Sequence, residues 1–289
     1  MQERHWKGYV LSFMGVCVFA LTLPMTKIAL QSFSPLFITT GRVVISGLAS
    51  AFVLKSTRQK FPPKHLWPKI FLTSLGVAVC FPLFIGLALK HTPSSHAAIV
   101  LAILPLLTAL IGSWMHHEKH SPLFWLIAGS GCLTVLIYIV WRNGISITPA
   151  DLWTLAAAVS AAIGYNSGTF VSKSLGGLQS ISWALAFLLP LSLPLSLYVM
   201  LTEPTFLQAT HSSLASFLYL AIMSQYLGFV PWYTGLQMGG VARVSQVQLL
   251  QTFITLAASA LFLSESISGV DWMVAGLVVI QIFAAKKAH

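Results

Sequence analysis

The chain has 289 residues, 56% of them apolar and only 8% charged, with a mean hydropathy of +0.83. Water-soluble domains hold about 25% charged and about 45–50% apolar residues, so this composition excludes a cytosolic enzyme, a secreted disulfide scaffold and a disordered chain. A formal charge of +10 would suggest a nucleic-acid partner in a soluble protein; here the lipid bilayer is the expected partner, no nucleic acid is expected, and the basic residues are read by position.

A bilayer core of about 30 Å needs about 20 apolar residues in a helix. Ten such runs are predicted, at 7–30, 34–54, 68–90, 93–114, 122–141, 151–172, 181–201, 214–236, 244–263 and 270–285. Arg4 and Lys7 open the first like a signal peptide. The lack of a small-x-small cleavage site, with nine further runs downstream, favours a retained helix. Lys27, near the outer end of that helix, is expected to snorkel to the interface.

The second run carries Arg42 near its centre, where an isolated Arg costs about 2.5–3.5 kcal/mol on insertion scales. Thr39, Arg42 and Ser46 share one face by their spacing. Arg42 either holds a substrate carboxylate or is a structural group bonded to helix-end carbonyls. In the third run Phe81 and Phe84 flank Pro82, and in the fourth His96 is the one His near a helix interior. The stretch His116-His-Glu-Lys-His120 after it has the composition of a metal site but sits in a helix-end loop where His is common. No metal and no cofactor are expected.

The sixth run aligns Asn166, Thr169 and Lys173, with Tyr165 beside them, and the seventh is interrupted by Pro190 and Pro194. In the eighth, Tyr219, Met223, Tyr226, Tyr233 and Gln237 share a face, with Gln225, Phe229 and Trp232 on the next. In the ninth, Ser245, Gln248, Thr252, Thr255 and Ser259 form a hydrogen-bonding stripe, with Gln251 adjacent. Polar stripes also glue membrane helices together, and aromatic walls with few polar groups line small-molecule pockets. The candidate substrate-binding residues are therefore Arg42, Phe81, Phe84, Tyr165, Asn166, Gln225, Tyr226, Tyr233, Gln248, Gln251, Thr252 and Thr255. Cys17, Cys80 and Cys132 lie in separate apolar runs with neither CxxC nor Cys/His spacing, as small buried thiols do.

Lys and Arg mark the cytoplasmic side. With the N-terminus inside, twelve basic residues fall in inner segments, including Lys55, Arg58, Lys60 and Lys64 of one loop, and only Lys90 and Arg142 fall outside. Both termini are expected to be cytoplasmic. A shift of 147 residues places Thr108 on Thr255, Glu118 on Glu265, Ser121 on Ser268, Trp125 on Trp272 and Gly129 on Gly276 without a gap. The expected fold class is thus an all-α integral membrane protein of ten transmembrane helices, two five-helix repeats at 1–145 and 146–289. An odd helix number inverts the second copy, and the substrate site is expected near the midplane between the halves.

The stretch Phe19-Ala-Leu-Thr-Leu-Pro-Met-Thr-Lys-Ile-Ala-Leu, then Ser34-Pro-Leu-Phe and Gly41-Arg42, resembles the start of EamA-type members of the drug/metabolite transporter superfamily. Ala88-Leu-Lys-His-Thr-Pro-Ser-Ser-His-Ala-Ala, Leu104-Pro-Leu-Leu-Thr-Ala-Leu and Glu118 are similar to its fourth helix and the acid after it, and Gly239-Gly-Val-Ala-Arg-Val-Ser to Leu263-Ser-Glu-Ser-Ile-Ser repeats the pattern. The resemblance implies a ten-helix inner-membrane carrier of amino acids or other small metabolites. The chain departs from the pattern at His117 and Ser264, where a Gly is usual, and at Gln251-Thr252, where many relatives have Glu-Pro. A mechanism that depends on that intramembrane carboxylate is not carried over.

All six acids, Glu3, Glu118, Asp151, Glu203, Glu265 and Asp271, fall in loops or at helix ends. Proton-driven carriers relay through buried acids or His, so a carrier that equilibrates its substrate down a gradient is expected. A zwitterionic or anionic metabolite, aromatic ones included, fits Arg42, the amides and the aromatics better than a cation does. The expected activity is export or facilitated passage of an amino acid or related metabolite by alternating access, with no obligate protein partner. The alternatives are an importer or exchanger of a nucleoside-like or S-adenosyl-type metabolite, and a membrane-embedded lipid-modifying enzyme. The enzyme would need a catalytic cluster, and only His116 to His120 approaches one.

Overall fold

The computed structural model describes residues 2–116, 121–143, 148–203 and 208–287, and every element among them is helical. The first rod is α1 (Gln2–Ala20) followed by α2 (Thr22–Ala29), and α3 (Pro35–Ser56) returns. A third rod joins α4 (Trp67–Thr73), a π-helical segment (Ser74–Cys80) and α5 (Phe81–Leu89); a fourth joins α6 (Ser94–Val100), a 3-10 turn (Leu101–Ile103) and α7 (Leu104–His116). Next come α8 (Pro122–Asn143), α9 (Pro149–Leu175), α10 (Gly177–Ala186) and α11 (Leu189–Thr202). The last part holds α12 (His211–Tyr219), a second π segment (Leu220–Leu227), α13 (Phe229–Gly239), α14 (Val241–Val244), a 3-10 turn (Ser245–Gln248), α15 (Leu249–Leu263) and α16 (Gly269–Lys287).

Prolines explain most of the breaks. A proline has no N–H to give the carbonyl four residues back and its ring crowds that carbonyl. Pro24 leaves Ala20 at the α1/α2 break, and Pro190 leaves Ala186 at the bend between α10 and α11, which turn by 54°. The first π segment ends two residues before Pro82, and the second ends four residues before Pro231. The second π segment begins 146 residues after the first. Starts are set by caps: Ser34 Oγ accepts from Phe37 N at 3.1 Å with Pro35 at the first helical position. Thr148 and Asp151 form a reciprocal capping box at α9.

Each predicted stretch is mostly helical among the described residues, with breaks such as those at Leu21 and at residues 187–188. Five rods are long and apolar enough to cross a bilayer: Trp6–Ala29, Pro35–Ser56, Lys64–Leu89, Ser94–Met115 and His211–Gly239. The bent pair α10 and α11 makes a sixth if it is one span. Trp114, Leu201 and Leu261 on the outside are at least three-quarters exposed, a surface suited to lipid rather than water. The interior is closed by α1 against α13 and by α9, which touches α4, α5, α7, α10 and α13. The buried aromatic rings of Phe19, Tyr165, Phe229, Trp232 and Tyr233 meet there; Phe19 and Phe229 stand 4.8 Å apart and Tyr165 and Trp232 5.3 Å.

Candidate functional site

The stripe on the ninth predicted run faces inward. Gln248, Gln251, Thr252 and Thr255 line a cavity with Leu23 of α2 and Ala98, Leu101 and Leu104 of the fourth rod. Its volume is 10 Å³, no more than the roughly 10–15 Å³ that one water requires. The side chains therefore already touch, and the cavity has no room for a larger molecule unless the helices around it move apart. Gln248 and Gln251 sit across this space from Leu101 and Leu104, the positions 147 residues earlier.

Four buried or half-buried amides, two of them in the cavity wall, are incompletely bonded. Gln248 Nε2 donates to Tyr165 Oη at 3.2 Å, while Gln248 Oε1 and Gln251 Oε1 accept nothing from the described residues. Asn166 Nδ2 donates to the carbonyls of Thr108 and Ala162, both at 2.9 Å, and its Oδ1 is unpaired. Gln225 is fully buried with neither amide atom bonded. A buried polar group left without a partner costs about 1–3 kcal/mol. Of these groups the oxygens of Gln248 and Gln251 belong to the wall of the closed space, and two unpaired acceptors there are what a site for a hydrogen-bonding ligand presents.

Other expected residues make hydrogen bonds or ring contacts within the protein. Thr255 Oγ1 donates at 2.8 Å to the carbonyl of Ala20, the group that Pro24 deprives of its helical partner. Although it lines the cavity, its donor is spent on a break in α1 that spacing does not reveal. Tyr233 Oη donates to Gly164 O at 3.1 Å across α9, and Phe84 stacks on Trp153 at 5.4 Å, away from the cavity. Phe81 is partly buried at the edge of the core, and Tyr226 Oη shares a hydrogen bond with Ser182 Oγ at 2.9 Å. Lys27 corrects its expectation: instead of snorkelling, Nζ donates to the carbonyls of Leu89 and Thr92, at the C-terminal end of α5 where the helix dipole is negative.

Arg42 is 2% exposed. Its Nη2 donates to Ser224 Oγ at 3.3 Å, a hydroxyl that also bonds Thr22 Oγ1 at 2.8 Å, and its Nε has no partner. The helix-end carbonyls of the structural alternative are not among its partners. His96 Nε2 and Asp151 Oδ1 share a buried hydrogen bond at 2.7 Å, which ties α6 to the capping box of α9 at the helix ends. No carboxylate among the described residues pairs with Arg42.

Glu265 was not among the expected site residues. Its two oxygens accept from Ser94 N and Ser95 N, each at 2.8 Å, and so cap α6 from the α15/α16 connection. The signal was there in Ser94-Ser95 opening a helix and an acid repeating at the 147-residue shift, but only the fold brings the two together. Among the described residues no group of three or more His, Cys, Asp or Glu side chains could hold a metal. The run from His116 to His120, Cys132 and Glu118 lie outside the side chains described.

The sequence pattern of the EamA-like transporter family matches residues 6–140 and again 148–285. The chain is 36% identical over 97% of its length to the uncharacterized transporter YdeK of Bacillus subtilis, covering 96% of that protein. It is 26% identical over 95% of its length to a probable amino-acid metabolite efflux pump of Salmonella typhimurium, covering 92% of it. Its fold matches a solved crystal structure at a TM-score of 0.69, with 18% identity, over 96% of this chain and 97% of that one.

Proposed function

Because the chain belongs to the EamA-like transporter family, and is thus a multi-pass membrane protein, we propose that it carries zwitterionic metabolites of the amino-acid class outward across the bacterial inner membrane. The carrier has ten spans, two inverted five-helix halves and cytoplasmic termini in this proposal, and works by alternating access. Support for two halves comes from the family pattern matching twice and from the π segments recurring 146 residues apart. Thr134 and Gln281, 147 residues apart, also bond one another at 2.9 Å, as equivalent residues beside a two-fold axis would.

The observation that carries the substrate class is Arg42. A buried guanidinium without a counter-ion is costly by several kcal/mol, and a site that keeps one gains if an anion neutralises it during the cycle. A substrate carboxylate matches its fork by two parallel hydrogen bonds. The unpaired amide oxygens of Gln248 and Gln251 would take N–H donors from the same molecule. The neighbouring rings of Tyr165 and Trp232 suit an apolar or aromatic side chain. The probable efflux pump from Salmonella typhimurium points to the same class.

The test is a thermal-stabilisation screen of the purified protein against amino acids, their methyl esters and amides, simple amines and nucleosides. Free amino acids are expected to raise Tm, aromatic and branched ones most, and the esters and amines lacking a carboxylate are not. Stabilisation by amines or nucleosides alone would replace the proposed substrate class.

A further inference from the structure

A second and larger cavity, of 240 Å³, lies at the end of the bundle that carries the basic loop after α3. It opens beside exposed Thr57 and is lined by Thr57, Gln59, Gln179, Ser182 and Thr234 among apolar side chains such as Leu54, with no charged residue in its wall. Ser182 belongs both to this wall and to the buried hydrogen bond with Tyr226 Oη. α10 and the second π segment, which make that contact, both pack against α3, and one face of α3 runs from the cavity wall to Arg42. Counting back from Thr57 by helical spacing, Val53, Ala49 and Ser46 fall in line below the guanidinium. Ser46 and Ala49 are small, and beside them Ser50 is fully buried with its hydroxyl unpartnered.

We propose that this cavity is the vestibule through which the transported molecule reaches Arg42, and that the Ser182–Tyr226 hydrogen bond is the closed gate between the two. This rests on the transport function proposed above and deepens it. An uncharged wall of hydroxyls, amides and aliphatic groups admits a molecule of no net charge, as a zwitterion is, and holds it by hydrogen bonds. The small residues of α3 leave room for it once the gate parts, and the orphaned Ser50 hydroxyl and Arg42 Nε gain partners as it passes. The gate costs little to open, being one neutral hydrogen bond between α10 and the second π segment, whose widened turn can re-register.

The experiment uses single cysteines in the full chain with the native cysteines replaced, labelled in oriented vesicles by a small hydrophilic thiosulfonate. Thr57→Cys at the rim is expected to react fast from one face, and Ser46→Cys slowly from that same face. Tyr226→Phe should speed Ser46→Cys by roughly threefold to tenfold, the range that one net hydrogen bond supports. Thr234→Trp, which fills the vestibule, should slow it. An unchanged melting temperature checks that each background is folded, and Ser182→Ala breaks the same bond from the other side. Labelling of Ser46→Cys solely from the opposite face overturns the vestibule, and so does a rate indifferent to Thr234→Trp. A rate indifferent to both Tyr226→Phe and Ser182→Ala overturns the gate. No substrate is used, so failure here leaves the role of Arg42 standing.

Discussion

Arg42→Gln is expected to lower transport by at least about tenfold to a hundredfold, the loss that a charge-assisted hydrogen-bonded pair of about 1.5–3 kcal/mol supports, while the protein purifies folded. The two parts of this expectation come from one observation. Arg42 is 2% exposed and bonds a single shared hydroxyl, Ser224 Oγ, with no acid opposite it among the described residues. Removing a buried charge that nothing balances should hold or raise stability rather than lower it. A structural arginine behaves in the opposite way: its loss leaves partners unpaired and lowers Tm, by about 3–5 kcal/mol where a buried pair is broken. Arg42→Lys keeps the charge without the planar fork and should fall between wild type and Arg42→Gln. Transport rates in proteoliposomes and melting curves of the three proteins measure both halves. A fall in Tm of Arg42→Gln that parallels the loss of transport would assign Arg42 to the fold.

The second large effect concerns the seam between α1 and α13. Helices in lipid gain little from hydrophobicity, so close backbone approach through small residues supplies the packing. A Cβ added at Gly235 would stand 2.2 Å from Ser12 Oγ and 2.6 Å from Gly8 O, and one at Gly8 would stand 3.0 Å from Gly235 O. Gly15 is packed in the same way against Gly228 O, at 2.9 Å. Behind the Ser12 hydroxyl, the obstacles at Gly235 are backbone atoms of Gly8 and Ser12, which cannot swing aside. Gly235→Leu is therefore expected to cost more than the roughly 1–3 kcal/mol of ordinary overpacking, and to show as loss of monodisperse protein in detergent or a large drop in Tm. Leu261→Ala, on the exposed periphery, serves as the control with little change. A Gly235→Leu protein with wild-type Tm would contradict the packing described.

Much of this molecule was legible in its sequence because lipid leaves the backbone few choices. Apolar runs of helical length marked the rods, and the 3- and 4-residue spacing of Gln248, Thr252 and Thr255 put these groups on one inward face. What spacing could not show was which polar groups are already spoken for. Thr255 looked like a binding residue, and its hydroxyl is taken by Ala20 O, whose need arises from Pro24 far away in sequence. Lys27 looked like an interfacial anchor, and the end of α5 that it caps becomes visible only when α2 and α5 lie side by side. Tyr226 and Tyr233 share a face in a regular helix, yet the π segment before α13 changes the register, so the first bonds Ser182 on α10 and the second Gly164 on α9. Glu265 joins the ends of two distant rods, a contact that no local pattern encodes.

The purified protein is expected to move an amino acid across a bilayer by itself. The direct measurement is counterflow: proteoliposomes loaded with unlabelled phenylalanine or leucine, diluted into a trace of the labelled compound. The expected result is transient, saturable uptake of label that needs the internal amino acid and is absent from protein-free liposomes. Folded protein giving the same label content as protein-free liposomes, for these and for the other free amino acids, would contradict it.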